Sequence, residues 1–274
     1  MRIFINSLPK SGTNLVAKLI GNLGYQYSNK SIALSSLLGR YEVVKRLTRS
    51  ACLRGGSVEV GLEINAAVSS AWLKRYLAKI PDEQYVTGHS AFSEHLWDML
   101  LSLDYRVIQV IRNPYDVMLS YAKYFVEDVN SYYPTHGTLR DLTIDQRIRL
   151  IAEGGKLIDS PHYMRGIREV LRSQEGWFEE KGVLPVRFED LVGPKGGGSK
   201  DKQRETIKRI CSHLGIDEGR GEKVMDSLYG GTHTFRSGKI GSYTQSLEKK
   251  TLHLIREKLE NVRFVAELGY LDEV

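Results

Sequence analysis

Ile3-Phe4-Ile5-Asn6-Ser7-Leu8-Pro9-Lys10-Ser11-Gly12-Thr13-Asn14 is the stretch that decides how this chain folds. Ile3 to Ser7 is an apolar run of strand length. Leu8 to Thr13 is a turn, and from Asn14 to about Leu23 apolar residues recur at helical spacing, with Gly24 as a stop signal. A strand that passes through a glycine-containing turn into a helix opens a βα unit. The pattern recurs down the chain. Tyr85-Val86-Thr87 reads as a strand ending at Gly88-His89. Tyr105 to Ile111 is apolar with few interruptions, as a strand buried on both faces should be. Arg112-Asn113-Pro114 follows it, and Pro114 suits the first turn of a helix over Tyr115 to Val126. Val183 to Phe188 is a further strand, and Gly193 to Lys200 reads as a surface loop. Helices are expected near 37–47, 64–80, 96–101, 144–152, 163–178, 202–214, 221–228 and 247–268. This alternation predicts a single α/β domain over residues 1–274, a central parallel sheet flanked by helices and similar to P-loop nucleotide-binding folds.

In such sheets ligands sit beyond the carboxyl ends of the strands. Three strands run there into unusual loops: Pro9 to Thr13, Gly88-His89, and Arg112-Asn113-Pro114. The first places backbone N–H groups and a mobile lysine at a helix start, which suits an anion. It does not follow the Gly-x-x-x-x-Gly-Lys-Ser/Thr pattern, so a phosphate loop of that kind is not expected. Arg112 at a strand end can fork onto phosphate oxygens, and Ser120, two helical turns further on, can add a hydroxyl. The plainer reading of Arg112 is a cap on a neighbouring helix end or an ion pair with Asp116.

Composition sets the outer limits. The 274 residues are 41% hydrophobic and 26% charged, as in ordinary globular proteins. The net charge of +6 suits an anionic ligand, yet no RGG tract, basic block or cysteine finger points to nucleic acid. Cys52 and Cys211 lie far apart and give neither a disulfide framework nor a metal site. No run is long enough for a membrane span. The strand beginning at once after Met1 leaves no room for a signal peptide, so the expected location is the cytoplasm.

Taken together, the loops resemble the signatures of PAPS-dependent sulfotransferases (PAPS is 3′-phosphoadenosine 5′-phosphosulfate). Pro9-Lys10-Ser11-Gly12-Thr13 is similar to that family's 5′-phosphosulfate loop. Arg112-Asn113-Pro114-Tyr115-Asp116-Val117 with Ser120-Tyr121 is similar to its 3′-phosphate segment. Phe235-Arg236-Ser237-Gly238-Lys239-Ile240-Gly241 resembles its third signature, and Arg187-Phe188-Glu189-Asp190-Leu191 the segment between. The matches stand in the family's order and span residues 8–246.

The resemblance implies transfer of a sulfuryl group from PAPS to a hydroxyl or amine of a small-molecule acceptor, without metal and with release of adenosine 3′,5′-bisphosphate (PAP). It implies that Lys10 meets the bridging oxygen, while Ser11, Gly12, Thr13 and Asn14 hold the 5′-phosphate. Arg112, Ser120, Arg236, Ser237 and Gly238 would hold the 3′-phosphate, and Phe188 would lie near the adenine. His89 would be the general base, with His95 a decoy on a helix. Two departures stand out: Thr87-Gly88 precedes the base where a lysine is common, and Arg236-Ser237-Gly238 replaces Arg-Lys-Gly. A nucleotide kinase or NTPase, and an inactive PAPS-binding module, are the alternatives. The acceptor stays open among alcohols, phenols, amines, specialised metabolites and glycolipids, as does a homodimer. Insertions at about 34–70 and 129–161 are expected to wall its pocket. The first carries Arg40, Lys45, Arg46, Arg49 and Arg54, either a basic wall for an anionic acceptor or a solvated face. The second carries Tyr132, Tyr133 and His136.

Overall fold

Ile3, Phe4 and Ile5 are fully buried, and a strand whose successive side chains are all inside must be covered on both faces. The computed structural model, which describes residues 1–33, 37, 56–64, 66–127, 141–156, 163–231 and 238–272 (the side chains of 125–127 aside), shows that arrangement. Strands are numbered in chain order: β1 Arg2–Ser7, β2 Gln26–Ile32, β3 Ser57–Glu59, β4 Ala67–Ser69, β5 Gln84–Gly88, β6 Tyr105–Ile111, β7 Gly155–Lys156, β8 Tyr163–Met164 and β9 Val183–Arg187. Five of them form a parallel sheet in the order β2-β5-β1-β6-β9. Two antiparallel ribbons, β3-β4 and β7-β8, stand apart from it.

One face is filled by Ile3 and Ile5 against Val16, Leu19 and Ile20 of helix Thr13–Asn22 and Ile207 and Ile210 of helix Lys200–Leu214. On the other, Phe4 meets Trp177 edge-on at 6.1 Å, among Leu96, Leu100 and Val107. Each such fully buried side chain stabilises the fold by about 1.5–3 kcal/mol. A third apolar cluster, around Leu8, Met118, Ile148, Ile151 and Phe264, lies past the strand ends.

Topology explains where the site must be. β1 is central, and the chain leaves it first toward β5 and β2, later toward β6 and β9, so the connections diverge beside β1. Register aligns the strand ends: Asn6 pairs with Gly88, Ser7 with Val110, and Ile111 with Arg187. His89 therefore emerges next to Ser7, and Arg112 next to Phe188.

Several elements differ from expectation. β2 carries no apolar run; it is a polar edge strand that bulges at Asn29, where φ is 55°. The helix expected over 64–80 begins only at Ser70, because residues 67–69 pair with β3 and Ser69 caps the helix by accepting from the Trp72 N–H. The helix expected over 163–178 is β8 followed by the two short helices Ile167–Arg172 and Glu175–Glu179. The break comes at Gly166, where a Cβ would lie 2.8 Å from the Ala152 carbonyl. That expected over 221–228 is helix Glu218–Val224 with a tight turn after it. That expected over 247–268 splits into Lys249–Leu259 and Arg263–Glu267. Arg168 and Arg172 donate to the carbonyls of Glu257, Lys258 and Asn261, satisfying the first helix's end. Gly193 to Lys200 is more than a surface loop: the Gly196 carbonyl accepts from the Ile240 N–H at 3.0 Å, so it supports the third signature. The helix expected at 37–47 falls, apart from Leu37, outside the described residues.

Candidate active site

The loop after β1 is built by two left-handed residues. Lys10 has φ 68° and Gly12 φ 102°; for lysine this conformation costs about 1–2 kcal/mol. Gly12 is obligatory for a second reason, since a Cβ there would stand 2.6 Å from the Phe188 ring. The helix Thr13–Asn22 starts with neither a side-chain cap nor an acidic residue in its first turn. Its leading N–H groups and positive dipole end are thus left for an anion. Ser11 is fully buried, and its hydroxyl has no hydrogen-bond partner among the described residues. Thr13 is tied to the Ser7 hydroxyl at 2.5 Å, and Asn14 is exposed on the helix. The Lys10 ammonium rests 3.5 Å from the centre of the Tyr124 ring.

Arg112 is the hub of the loops beside β1. It is 8% exposed, donates to the carbonyls of Lys10 at 3.2 Å and Lys239 at 2.9 Å, and stacks on Phe188 at 4.5 Å. Its Nε is buried with no partner among the described residues. Burial lowers its pKa, against the charges of Asp116 and Glu189. The ion pair with Asp116 is present at 3.6 Å, but Asp116 does more. Its carboxylate accepts from the N–H groups of Gly241 at 2.8 Å and Tyr243 at 3.2 Å, while Tyr115 stacks on Tyr243 at 5.0 Å. Asp116 thereby clasps the third signature onto the helix that follows Arg112.

Of that signature, Gly238 is in place with φ 54°, whereas Arg236 and Ser237 lie outside the described residues. Ser120 is half-buried on the same helix as Asp116. Phe188 is buried between Gly12 and Arg112; what this geometry gives it is the packing that joins the loops after β1 and β6. Glu189 joins β6 to β9 by accepting from the Asn113 N–H at 2.7 Å and the Tyr270 hydroxyl at 2.9 Å. Burial raises its pKa, against those two contacts. Sequence reasoning gave no role to Asp116 beyond an ion pair, nor to Glu189, although both sit within the matched segments.

His89 is fixed from three sides. Its N–H donates to the Ile32 carbonyl at 3.0 Å. Its Nδ1 lies 2.9 Å from the Ser7 carbonyl; a carbonyl only accepts, so Nδ1 carries the proton and Nε2 is left as the acceptor. The next residue is riveted: the Ser90 carbonyl accepts from Asn6 at 3.0 Å, Gln174 at 2.6 Å and Trp177 at 3.2 Å. Burial lowers the His89 pKa, with the Ser7 bond and the Glu63 charge opposing and Lys10 assisting, so the neutral, proton-accepting ring prevails at neutral pH. Gly88 explains part of the unusual sequence here: a Cβ would lie 2.5 Å from the Phe4 ring. His95 is exposed on helix Glu94–Ser102.

The sulfotransferase domain family matches residues 1–261. The chain belongs to the sulfotransferase family. Mouse sulfotransferase SULT7A1, solved with PAP, superposes with a TM-score of 0.61 at 18% identity, over 98% of this chain and 88% of that one. Retinol dehydratase, solved with androsterone and inactive cofactor PAP, gives 0.55 at 14% identity, over 95% and 81%. No curated protein matches the sequence. At these identities the structures establish that the sulfotransferase fold is shared.

Beside the first loop this sulfotransferase has a narrow cleft that opens to solvent. Leu8, Val117, Met118, Ile151 and Met164 give it apolar walls, and Glu63 and Arg165 its charges. Glu63 comes from the first expected insertion and Ile151 from the second. The arginines of the first insertion and Tyr132, Tyr133 and His136 of the second lie outside the described residues. Among the described residues no group of three or more His, Cys, Asp or Glu could hold a metal ion, and no helix is long and apolar enough to cross a membrane.

Proposed function

We propose that this sulfotransferase takes PAPS as its donor and transfers the sulfuryl group to a hydroxyl or amine of a small molecule seated in the cleft beside Leu8. The observation that carries the reading is the pair of buried donors without a hydrogen-bond partner among the described residues, Ser11 Oγ and Arg112 Nε, on the two loops that flank the uncapped helix start. Leaving a buried polar group unsatisfied costs about 1–3 kcal/mol. Two such groups at neighbouring strand ends fit a ligand with two phosphate groups.

PAPS supplies the activated sulfuryl group, and the chain's own residues do the rest. The N–H groups of Ser11 to Asn14, with the Ser11 hydroxyl, would hold the 5′-phosphate. Arg112, Ser120 and the third signature, with Arg236, Ser237 and Gly238, would hold the 3′-phosphate. Lys10 provides a point charge for the bridging oxygen, where negative charge grows as the bond to sulfur breaks. His89 Nε2 accepts the acceptor's proton as attack proceeds. The Ser7 carbonyl fixes the ring in the tautomer that can do so. Arg112 and Lys10 neutralise charge without help from a metal.

The test is incubation of the purified chain with PAPS and a panel of alcohols, phenols and amines in EDTA, read by mass spectrometry. A sulfuryl adduct on an acceptor together with released PAP is the expected result. Binding of PAP with no adduct on any acceptor would instead favour an inactive binding module, and tight ATP binding with no response to PAP would favour a kinase.

A further inference from the structure

A closed ring of buried amides lies behind His89. Asn6 stands two residues after Phe4 on β1, and Gln109 two residues after Val107 on β6, so both point to the apolar face that Trp177 covers. The two are partners in the sheet register. Asn6, Gln109, Gln174 and Ser90 are each at most 1% exposed. Asn6 grips the Ser90 main chain twice: its Oδ1 accepts from the Ser90 N–H at 2.9 Å, and its Nδ2 donates to the Ser90 carbonyl at 3.0 Å. Nδ2 also donates to Gln109 Oε1 at 2.8 Å, and Gln109 Nε2 donates to Gln174 Oε1 at 2.9 Å. Gln174 Nε2 donates to the Ser90 carbonyl at 2.6 Å, and the ring is closed. The Ser90 N–H only donates and its carbonyl only accepts, so a single orientation of the three amides satisfies every bond.

Holding the fold does not require such a ring, because apolar side chains of the same shape can replace a bonded polar pair at little cost to stability. What a fully satisfied buried network adds is a fixed geometry, and here it bears on the His89 imidazole. Ser7 follows Asn6, and His89 precedes Ser90. The Asn6 grip on Ser90 therefore holds the Ser7 carbonyl and the ring that donates to it from one residue away on either side. Gln109 and Gln174 keep the Asn6 amide from turning over.

We propose that Asn6, Gln109 and Gln174 are positioning residues for His89, and that their ring holds its imidazole in the Nδ1–H form with Nε2 as the acceptor. The positioning role rests on His89 being the base of the proposed transfer.

Histidine-specific 15N labelling and long-range proton–nitrogen NMR of the full chain read the tautomer directly. The chain has seven histidines, and His89→Ala assigns the signals by their loss. Spectra are taken well above the ordinary imidazole value of about 6.5, where the ring is neutral. The wild type should show the Nδ1–H form alone. Asn6→Leu, which removes the grip, should give a mixture containing the Nε2–H form. Should that variant not fold, the double variant Gln109→Met/Gln174→Met decides. It exchanges a bonded pair for apolar chains of similar length, should unfold at a denaturant concentration close to that of the wild type, and should still bring the Nε2–H form into the spectrum. A purely structural ring would lower stability and leave the His89 signals where they are. An Nε2–H wild type, or unchanged His89 signals in a folded variant, would overturn the inference. A double variant that fails to fold would do the same, since the ring would then serve the fold itself. The readings beneath it fail by other signs: no binding of PAP by the wild type overturns the donor assignment, and wild-type transfer by His89→Ala overturns the base, and the positioning role with it.

Discussion

The proposed donor side and the proposed acceptor side of this site are built on different principles. The donor loops are short, follow directly from strand ends, and are tied to one another through Arg112, Asp116, Phe188 and Glu189. Their work is done by backbone conformation and by charges at fixed spacing. The proposed acceptor cleft is drawn from Leu8 and Pro9, the turn between β3 and β4, the helices Pro114–Glu127, Ile144–Glu153 and Ile167–Arg172, and β8, mostly through apolar side chains with Glu63 and Arg165 among them. His89 stands between them, its ring held by the Ser7 carbonyl at the end of β1.

The largest effect is therefore expected at that junction. His89→Ala should reduce transfer by about two to four orders of magnitude, the span usual for a lost general base, and leave PAP affinity unchanged. In the wild type, kcat/KM should rise with pH through a limb whose midpoint lies below the ordinary imidazole value of about 6.5, since burial depresses this group. The limb should be absent in His89→Ala. The same depression has a sign for stability. The folded state favours the neutral ring, so the contribution is complete above the unfolded value and fades as pH falls through the folded one. Steady-state profiles from pH 5 to 8 decide the matter; a His89→Ala enzyme with wild-type turnover on an alcohol, beside an inactive His95→Ala, would mean the wrong histidine has been chosen.

A second substitution asks whether the donor side is one linked unit. Asp116→Asn keeps the size of the side chain, but removes the charge facing Arg112 and one of two N–H acceptors. Breaking a buried pair costs about 3–5 kcal/mol, and the lower end is expected because Arg112 retains the Lys10 and Lys239 carbonyls. PAP affinity should fall as well, because Asp116 positions Gly241 and Tyr243. Denaturant unfolding with a loss under about 1 kcal/mol, and unaltered PAP binding, would show that the third signature is held by other means.

The contrast also explains what could be read in the sequence. The gathering of Lys10 to Asn14, His89 and Arg112 at neighbouring strand ends was legible because each follows an apolar strand into a loop. The central strands were legible for the same reason, being buried on both faces. β2 was not, because an edge strand such as Gln26–Ile32 has no apolar pattern to display. The break at residues 260–262 was hidden because the arginines that satisfy the helix end sit about 90 residues earlier.

The smallest effect discriminates most finely between a loop shaped for a ligand and a loop shaped for the fold. Ser11→Ala removes a hydroxyl that is buried and without a partner among the described residues. If the loop existed only to connect β1 to its helix, that hydroxyl would contribute nothing, and its removal would change neither stability nor binding. A donor group waiting for a phosphate behaves otherwise. Deleting it should leave the ligand-free protein as stable as before or more so, because an unsatisfied polar group has gone. It should weaken PAP by about tenfold, the cost of one hydrogen bond to a charged acceptor. The opposite signs are the point, since a substitution that merely damaged the loop would lower both. Thermal unfolding with and without PAP measures the two quantities on one sample, and a saturating ligand at about 100 times Kd should add roughly 2.7 kcal/mol to the wild type. A less stable ligand-free Ser11→Ala that binds PAP normally would make Ser11 a structural residue and leave the 5′-phosphate to the backbone N–H groups alone.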